Sequence, residues 1–355
     1  MSERIVVAMS GGVDSSVAAA LLVECGHEVV GITMHLAGAG SRCCSLEDAD
    51  DARRVAETLG IRFFVANYTD RFRSEVMEPF ADAYLAGRTP IPCVACNRRF
   101  KFQHLLERAR ALGATRIASG HYARIEEDSA SGRRCLRSAA DDAKDQSYFL
   151  FDLDQSQLSR IEFPLGSLRK EEVRARARAL GLATADKPES QEICFVPDGD
   201  YARAVERLRP DALPGQGEIV HQDGRLLGRH AGIHHYTVGQ RRGLGLSAGA
   251  RLYVTRIDAA ANRIVVGETD ALLAVRARLE NVSWIAGEPP EEVVQARVRV
   301  RHRHQGVLAT IEPDGKDGAQ LHFLEPVRAV APGQAAVFYQ GDLVLGGGWI
   351  ARESA

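Results

Sequence analysis

Two cysteines, Cys93 and Cys96, stand in C-x-x-C spacing within TPIPCVACNRRFKF, residues 89–102. Thiols at this spacing can form half of a zinc site, a dithiol redox couple, or one nucleophile with an inactive neighbour. A third thiol, Cys194, lies far along the chain in SQEICFVPDGD. Because the thiolate is the reactive form of cysteine, the surroundings of these residues decide which chemistry is available.

The residues that follow the C-x-x-C pair favour a reactive thiolate. The stretch KFQHLLERARALGA predicts a helix over residues 101–114, so that Cys96 would lie just before a helix N-terminus. The positive end of a helix and nearby cations both stabilise a thiolate. The cations here are Arg98, Arg99 and Lys101. The local sequence therefore favours ionisation of Cys96.

The composition is that of a globular protein of 355 residues, which at roughly 100–200 residues per domain predicts two or three domains. The net charge is −2, so any nucleic-acid surface must be a local basic patch. The start MSERIVVAMSGG lacks a signal-peptide core, and no stretch approaches the ~18–20 apolar residues that span a bilayer. We therefore expect a cytoplasmic protein with no membrane partner, whose cysteines stay reduced.

The order of apolar stretches predicts an α/β fold up to about residue 200. RIVVAM, EVVGITMHL, IRFFVANY and TRIASGHYA resemble buried strands, and helical stretches separate them. This alternation indicates a parallel sheet with crossover helices. After the turn-rich PGQG, short strands predict a small, mostly-β central domain and a C-terminal β-barrel. The expected domains are residues 1–204, 205–272 and 273–355.

A glycine loop, AMSGGVDSS at residues 8–16, joins the first strand to the first helix. Gly11 and Gly12 permit backbone conformations in which exposed N–H groups, with the helix N-terminus behind them, bind an anion. The loop matches neither G-x-x-x-x-G-K-[ST] nor G-x-G-x-x-G. Asp14 is unusual in a phosphate loop unless a metal ion or a reacting group requires it. The alternative is a tight turn whose serines cap the helix.

The loop resembles the PP-loop of ATP pyrophosphatases, which cleave ATP between the α and β phosphates and adenylate a carbonyl oxygen. Over the whole chain, further motifs resemble those of the tRNA-specific 2-thiouridylase family in order and spacing. They are SGGVDSSV, GITMHL, PCVACNRRFKF, ASGHYA, KDQSYFL, SQEICFVP, HHYTVGQRRGLG, PGQAAVFY and LGGG. The resemblance implies a Rossmann-like PP-loop domain of the adenine nucleotide alpha hydrolase type, followed by a central β domain and a tRNA-binding β-barrel.

The implied reaction is ATP-dependent 2-thiolation of the wobble uridine, U34, of tRNA. ATP adenylates the C2 carbonyl oxygen, and sulfur from a cysteine persulfide displaces AMP; pyrophosphate is the other product. By position in the motifs, Cys194 matches the persulfide carrier and Cys96 the nucleophile, and the two form a transient disulfide. The implied cofactors are ATP and Mg²⁺, with Asp14 as a catalytic residue and a possible Mg²⁺ ligand. The implied partners are tRNA and a sulfur-relay protein or cysteine desulfurase, and the chain is expected to be a monomer.

The resemblance also assigns binding residues. The ATP contacts are Ala8, Met9, Ser10, Gly11, Gly12, Val13, Asp14, Ser15, Ser16, Met34 and Gly120. The tRNA contacts are His121, Lys144, Asp145, Gln146, Arg301, His302 and Gln334. Independently, the alternation in RVRVRHRH predicts a strand with four arginines on one face, which exceeds what an edge strand needs for solubility. These are Arg297, Arg299, Arg301 and Arg303.

Cys93 departs from the family pattern, in which an aspartate is common at this position. One hypothesis makes it a redox partner of Cys96. Another is an iron–sulfur cluster held by Cys93, Cys96 and Cys194. A zinc site would require a second C-x-x-C or a histidine pair, and the adjacent Cys43 and Cys44 are poorly spaced for it.

Two other functions are compatible with part of the sequence. An amide-forming PP-loop ligase would explain the glycine loop but not the cysteine pair or the basic β region. An RNA-binding module with an inactive nucleotide site would explain the basic strand, but the acidic loop residue and both cysteines argue against it.

Overall fold

The computed structural model describes residues 2–36, 46–189, 193–246 and 251–352. The adjacent cysteines at positions 43 and 44 lie outside the described residues. The strands of the N-terminal region are β1 (Arg4–Ala8), β2 (Glu28–His35), β3 (Arg62–Asn67), β4 (Arg116–Ser119), β5 (Arg124–Glu127), β6 (Arg134–Arg137) and β7 (Ile161–Glu162). Its helices are α1 (Val13–Glu24), α2 (Leu46–Leu59), α3 (Thr69–Phe72), α4 (Glu78–Leu85), α5 (Pro92–Ala95), α6 (Leu105–Ala111), α7 (Gln155–Leu158) and α8 (Lys170–Ala179). Two π-helical segments, Arg73–Met77 and Cys96–His104, and a 3-10 helix, Ser147–Phe149, complete the region.

Five parallel strands form the central sheet of this region in the order β3-β2-β1-β4-β7. β1 is buried on both faces. Ile5 and Val7 pack with α1 and α8, whereas Val6 packs in the cluster on the opposite face. Near-continuous apolar strands of this kind are expected where helices cover both faces of a parallel sheet. The predicted α/β architecture is therefore confirmed.

The helix that carries the C-x-x-C pair begins earlier than the sequence predicted. The prediction of a helix starting at Lys101 was wrong, because α5 begins at Pro92 and continues through the π-helical segment into α6. Proline is favoured at the first helical position, where its missing N–H costs nothing. Cys93 therefore lies in the first turn, next to the positive end of the helix, and Cys96 lies one turn further in.

The central region contains a four-stranded sheet. Its elements are α9 (Tyr201–Leu208), a 3-10 helix at Pro210–Ala212, β8 (Gly217–His221), β9 (Leu226–His230), a 3-10 helix at Ile233–His235, β10 (Tyr253–Asp258), β11 (Arg263–Gly267) and a 3-10 helix at Thr269–Leu272. The strand order is β10-β11-β8-β9, and β11 and β8 pair in parallel. Ile219, Val254 and Ile264 lie in its apolar core. The mostly-β central region agrees with the prediction.

Six strands at the C-terminal end close into a barrel. They are β12 (Leu273–Trp284), β13 (Val294–Arg299), β14 (Val307–Asp314), β15 (Gly318–Arg328), β16 (Ala335–Gln340) and β17 (Leu343–Ile350). They pair in the order β12-β15-β14-β13-β16-β17, and pairing of β12 with β17 closes the barrel. The predicted C-terminal barrel is confirmed.

The N-terminal region is joined to the barrel by a shared sheet, which the sequence did not predict. The β5–β6 hairpin extends the barrel sheet through pairing of Arg137 with Leu343 of β17. Arg137 also donates a hydrogen bond to Asp342, at 2.6 Å between Nη1 and Oδ1, and Arg124 pairs with the second oxygen of that carboxylate. The barrel is therefore fixed to the region that contains the glycine loop.

The basic strand is shorter than predicted. β13 ends at Arg299, and residues 300–303 form a bend and a turn. The alternation is kept as far as Val300, since Val298 and Val300 are both buried. Strand geometry does not continue to Arg301 and Arg303, so the prediction that four arginines share one strand face was wrong.

No helix in the described part of the chain has the length and apolar character needed to cross a membrane.

Candidate active site

The glycine loop lies at the point where the direction of strand addition reverses. From β1 the chain adds β2 and β3 on one side, and then β4 on the other side of β1. In open α/β sheets, the crevice at the carboxyl ends of strands at such a point is the usual ligand site. The loop at the end of β1 and the Gly120–His121 pair at the end of β4 meet there.

Two glycines are required by the close packing of this loop. Gly11 has a φ of 69°, and a Cβ there would collide with the Asp48 carbonyl group. At Gly120 a Cβ would lie 2.6 Å from the backbone nitrogen of Ser15. Glycine at position 120 therefore lets β4 approach the first turn of α1.

The serines of the loop form hydrogen bonds with its backbone. Ser16 Oγ donates to the Gly12 carbonyl at 2.9 Å, and Ser15 Oγ donates to the same carbonyl at 3.1 Å. Ser15 Oγ also accepts a hydrogen bond from the backbone N–H of Ser10 at 3.1 Å. The first N–H groups of any α-helix have no intrahelical acceptor. The serine hydroxyls donate to a carbonyl and occupy none of these N–H groups, so the first turn of α1 stays available to an anion. The side-chain capping that the alternative predicted is not seen at Gly12, the N-cap residue.

A cavity opens directly above the loop. It is lined by the ends of β1, β2 and β4, and most of its walls are residues that the sequence assigned to ATP or tRNA. The lining residues are Ala8, Met9, Ser10, Asp14, Ser15, Ile32, Met34, Leu36, Lys101, Ser119, Gly120, His121 and Gln146. Gly11, Gly12, Val13 and Ser16 from the predicted ATP set lie in the adjoining turn and helix. The sequence-predicted nucleotide residues are thus brought together.

Asp14 is held by two groups that the sequence did not identify. Lys170 Nζ, at the start of α8, lies 2.7 Å and 2.8 Å from the two carboxylate oxygens. Tyr122 donates its hydroxyl hydrogen to Asp14 Oδ1 at 2.8 Å. Burial and the neighbouring Asp14 charge raise the pKa of Tyr122, so it remains a donor. Both oxygens of Asp14 thus accept hydrogen bonds within the protein, and its role as a Mg²⁺ ligand stays a prediction.

A second carboxylate extends this network. Glu189 lies 2.8 Å from Lys170 Nζ and 2.6 Å from Lys144 Nζ. Burial opposes the negative charge of Glu189, but hydrogen bonds from Lys144 and Lys170 outweigh it and lower its pKa to about 2. Lys144, a predicted tRNA contact, is therefore paired within the protein.

His121 is buried at the rear of the cavity. Its Nδ1 lies 2.7 Å from Ser119 Oγ, and its Nε2 lies 3.2 Å from Asn97 Oδ1. Burial, with the nearby Lys101 charge, lowers the pKa of His121 well below its usual value. The imidazole is therefore neutral at pH 7 and cannot contribute a positive charge to phosphate binding.

Cys96 and Cys194 belong to segments that pack on one aromatic cluster. Cys96 is 7% exposed, and Cys194 packs against the same apolar core. Phe100, one turn after Cys96, contacts Phe72, with ring centroids 5.4 Å apart. Phe72 in turn contacts Phe195, the neighbour of Cys194, at 5.8 Å. The fold therefore brings the two distant cysteine segments to a common core.

The surroundings of the cysteines differ in part from the prediction. Arg98 forms an ion pair with Asp152, at 2.8 Å between Nη1 and Oδ2. Its charge is thus largely neutralised by that carboxylate. Among the described residues, the cluster of potential metal ligands with all atoms within 4.8 Å of one another lies elsewhere and contains no thiol. A single metal ion held by Cys93, Cys96 and Cys194 does not fit this arrangement; a larger iron–sulfur cluster stays a hypothesis.

Two predicted tRNA contacts connect the N-terminal region to the barrel. Asp145 is buried and accepts hydrogen bonds from Ser147 Oγ at 2.9 Å and Arg299 Nη1 at 3.0 Å. Its carbonyl oxygen lies 3.2 Å from His302 Nε2. Gln146 accepts a hydrogen bond from the backbone N–H of Tyr122 at 3.0 Å. Asp145 and His302 thus link the N-terminal region to the barrel, whereas the Gln146 contact lies within the N-terminal region.

Gln334 links the barrel to the approach to the cysteine helix. Its Nε2 donates to the Thr89 carbonyl at 2.9 Å, and the Thr89 N–H donates to the Pro332 carbonyl at 2.8 Å. Arg301, by contrast, is exposed and bonds only locally in the contacts described, to the Arg328 carbonyl at 3.1 Å.

Sequence reasoning missed Lys170, Tyr122 and Glu189. Tyr122 adjoins His121 in ASGHYA, a strand-end motif that could have drawn attention to it. Lys170 and Glu189 stand in stretches with no periodic or glycine signal. Their role depends on tertiary contacts with Asp14, which lies far away in sequence.

Comparison with known proteins identifies the family. A model described as the tRNA methyl transferase HUP domain matches residues 3–198. Models of a tRNA methyl transferase PRC-barrel domain and an aminomethyltransferase beta-barrel domain match residues 206–268 and 276–350. Among solved structures, the U34-tRNA thiolase NcsA from Methanococcus maripaludis with its 4Fe-4S cluster has a TM-score of 0.36 and 17% identity, over 59% of this chain and 67% of that chain. A TM-score of that size supports no conclusion about this chain.

Relatives match at nearly full length. The tRNA-specific 2-thiouridylase MnmA of Solibacter usitatus is 51% identical, covering 98% of this chain and 99% of the relative. That of Geotalea uraniireducens is also 51% identical, covering 98% of this chain and 95% of the relative. The resemblance seen in the sequence motifs is confirmed, and the chain belongs to the tRNA-specific 2-thiouridylase family.

Proposed function

We propose that the protein is a tRNA-uridine 2-sulfurtransferase, which uses ATP to replace the C2 oxygen of U34 in tRNA by sulfur. The observation that carries this proposal is the cavity where the SGGVDSS loop meets Gly120 and His121. It lies in a chain about half identical to 2-thiouridylases over its whole length. The matching domain models are named for methyl transfer. A phosphate loop binds ATP, however, so this site favours the ATP-dependent thiolation for which the relatives are named.

The first step is activation of the uridine. The C2 oxygen attacks the α-phosphorus of ATP, the bond to the β-phosphate breaks, and pyrophosphate leaves. The exposed N–H groups of the first turn of α1 and of the glycine loop bind the phosphates. Mg²⁺ would enter with those phosphates, and Asp14 is the residue beside the loop that could hold it. The loop fixes the reacting geometry, which is the main protein contribution to such transfers.

The second step is sulfur transfer. Cys194 carries a persulfide, and the Cys96 thiolate attacks its inner sulfur, so that a Cys96–Cys194 disulfide forms and hydrosulfide leaves. Hydrosulfide attacks C2, and AMP departs with the former carbonyl oxygen. A cellular dithiol then reduces the disulfide to two thiols. The packing of both cysteine segments on one aromatic cluster supports this pairing.

The barrel supplies the tRNA surface in this proposal. Arg301 and Arg303 are exposed at its end, where each can neutralise a phosphate. Asp145, Gln146, His302 and Gln334 act there by positioning as well as by contact. Residues 1–204, 205–272 and 273–355 are the proposed catalytic, central and tRNA-binding domains. The sulfur donor is a relay protein or a cysteine desulfurase, and the proposed setting is the cytoplasm, with the chain acting as a monomer.

The test supplies purified protein with tRNA, ATP, a cysteine desulfurase and cysteine, and measures 2-thiouridine by mass spectrometry of nucleosides. Cys194→Ser should carry no persulfide. Cys96→Ser should carry one on Cys194 but release little sulfur. Cys135→Ser in β6 is the matched control and should remain active. Persulfide found on Cys96 but never on Cys194 would reverse the two roles, and absence of 2-thiouridine with the parent protein would refute the activity.

Cys93→Ser separates the persulfide mechanism from the cluster hypothesis. If sulfur passes from Cys194 to the uridine as proposed, this variant should retain most activity. If the three thiols hold an iron–sulfur centre, it should lose activity together with an iron-dependent chromophore.

A further inference from the structure

A cluster of metal-ligating side chains lies outside the proposed active site, between α9 and the central sheet. Its members are Glu206 of α9 and two adjacent histidines, His234 and His235, of the 3-10 helix Ile233–His235. One ligand atom from each residue lies within 4.8 Å of the other two. The proposed thiolation uses none of these residues.

The distances within the cluster are close to those between ligands of one metal ion. Glu206 Oε1 lies 3.4 Å from His234 Nε2 and 3.6 Å from His235 Nε2. A charge-assisted hydrogen bond between these groups would be shorter, at about 2.7–2.9 Å. Two ligands of a tetrahedral zinc ion, each about 2.0–2.1 Å from the metal, are separated by about 3.3–3.4 Å. The separation from His234 Nε2 matches that spacing, and the separation from His235 Nε2 is slightly longer.

The backbone is shaped to hold the His234 ring. A Cβ at Gly232 would collide with His234 Cε1 and lie 2.7 Å from its Nδ1, so the ring fills the space that a side chain at position 232 would take. The His234 side chain is 3% exposed, and its Nδ1 is buried without a hydrogen-bond partner in the described structure. Nε2 is therefore the nitrogen of this ring that faces another polar group, the Glu206 carboxylate.

The position of the cluster suggests what the ion would do. α9 is anchored to α4 by Arg209, which lies 2.7 Å from Asp82 and 3.3 Å from Glu78. The 3-10 helix lies between β9 and β10 in the chain and packs against both α4 and α9. A bond from one ion to both elements would fix the central sheet against the N-terminal region.

We infer that Glu206, His234 and His235 form a site for a borderline divalent transition metal such as Zn²⁺, with water as the fourth ligand. Two imidazoles and a carboxylate are ligands suited to Zn²⁺ rather than to Mg²⁺ or Ca²⁺. Glu206 is partly exposed, so solvent reaches the remaining position. The role is structural, and it does not depend on the proposed sulfur transfer.

The test is calorimetric titration of chelator-treated full-length protein with Zn²⁺, after alkylation of its thiols. The parent should bind one ion per chain in the micromolar range or tighter. Glu206→Gln combined with His235→Asn should weaken binding at least tenfold; both side chains are partly exposed, so folding should survive. The matched control is Glu312→Gln with His322→Asn, an exposed pair 4.0 Å apart on the barrel, which should leave the affinity unchanged.

Thermal unfolding provides a second measurement. Saturating Zn²⁺ should raise the midpoint of the parent and the control but not that of the Glu206→Gln/His235→Asn variant. Co²⁺ should give a visible ligand-field spectrum without a thiolate charge-transfer band. Equal Zn²⁺ affinity in parent and Glu206→Gln/His235→Asn, or no binding to the parent below millimolar concentration, would overturn the site.

Discussion

Replacing Lys170 by methionine should destabilise the protein and weaken ATP binding together. Lys170 Nζ lies within 2.8 Å of oxygens on both Asp14 and Glu189, and its side chain is 10% exposed. Breaking a fully buried ion pair costs about 3–5 kcal/mol, because the remaining charge has no partner. The two carboxylates here are 31% and 26% exposed, so water screens part of that loss. A cost of about 2–3 kcal/mol is therefore expected.

The same change alters the charge that faces the nucleotide. With Lys170 removed, the Asp14 carboxylate beside the glycine loop is compensated by Tyr122 alone among the contacts described. At an effective dielectric constant of about 20, a unit charge about 8 Å from a phosphate contributes about 2 kcal/mol. ATP affinity should thus fall roughly ten- to thirtyfold.

Differential scanning fluorimetry and calorimetric ATP titration measure the two effects. A loss of 2–3 kcal/mol in a region of this size corresponds to a fall in Tm of about 4–12 °C. Lys144→Met is the matched control, since it removes a cation from Glu189 but leaves Asp14 paired. The double variant Lys170→Met with Asp14→Asn should recover part of the stability. A Tm within 1 °C of the parent, with ATP affinity within about twofold, would refute the reasoning.

Three further predictions follow from other contacts. The pKa of Glu189 is depressed to about 2 in the folded state, so its contribution to stability is present above its unfolded pKa of ~4.3 and is lost as the pH falls through 2. Glu189→Gln should therefore make the urea midpoint of unfolding less dependent on pH over that window, and a pH profile equal to that of the parent would contradict this. Gln334→Ala should increase hydrogen exchange at residues 88–96 and lower thiolation, because Thr89 loses one of its two bonds to residues 332–334; unchanged exchange there would contradict a role of Gln334 in holding this segment. Arg301→Ala with Arg303→Ala should weaken tRNA binding and reduce the slope of log K against log salt by up to about 2; an equal slope would show that these side chains meet no phosphate.

The architecture could be predicted from the sequence because its signals are local. Val6 and its neighbours are apolar on both faces, which indicates a strand buried in a parallel sheet. Gly11 stands where a positive φ and a close backbone neighbour exclude any other residue. The nucleotide site followed from these signals, since parallel strands bring their carboxyl ends to one edge.

Other features depend on contacts between distant residues. Lys170 has no local feature that pairs it with Asp14, and the π-helical segment that carries Cys96 has no recognised sequence signal. The sequence also gives no sign that β13 ends at Arg299, because the alternation of apolar and charged residues continues to Val300, beyond the end of the strand. Arg299 instead stacks on Tyr339, 4.5 Å from the ring centroid, and bonds to Asp145. Tertiary partners, rather than periodicity, set these positions.

The pairing of β6 with β17 has a consequence for the order in which the chain matures during synthesis. β6 leaves the ribosome with the first half of the protein, but its partner residue Leu343 lies close to the C-terminus. Thr89, which precedes the cysteine helix, likewise cannot form its hydrogen bonds with Pro332 and Gln334 until those residues have been synthesised. Translation must therefore be almost complete before the N-terminal region can form these contacts with the barrel. A chain that stops short of β17 would release a hairpin with an open edge, which is a target for aggregation and quality-control proteases rather than a partly active enzyme.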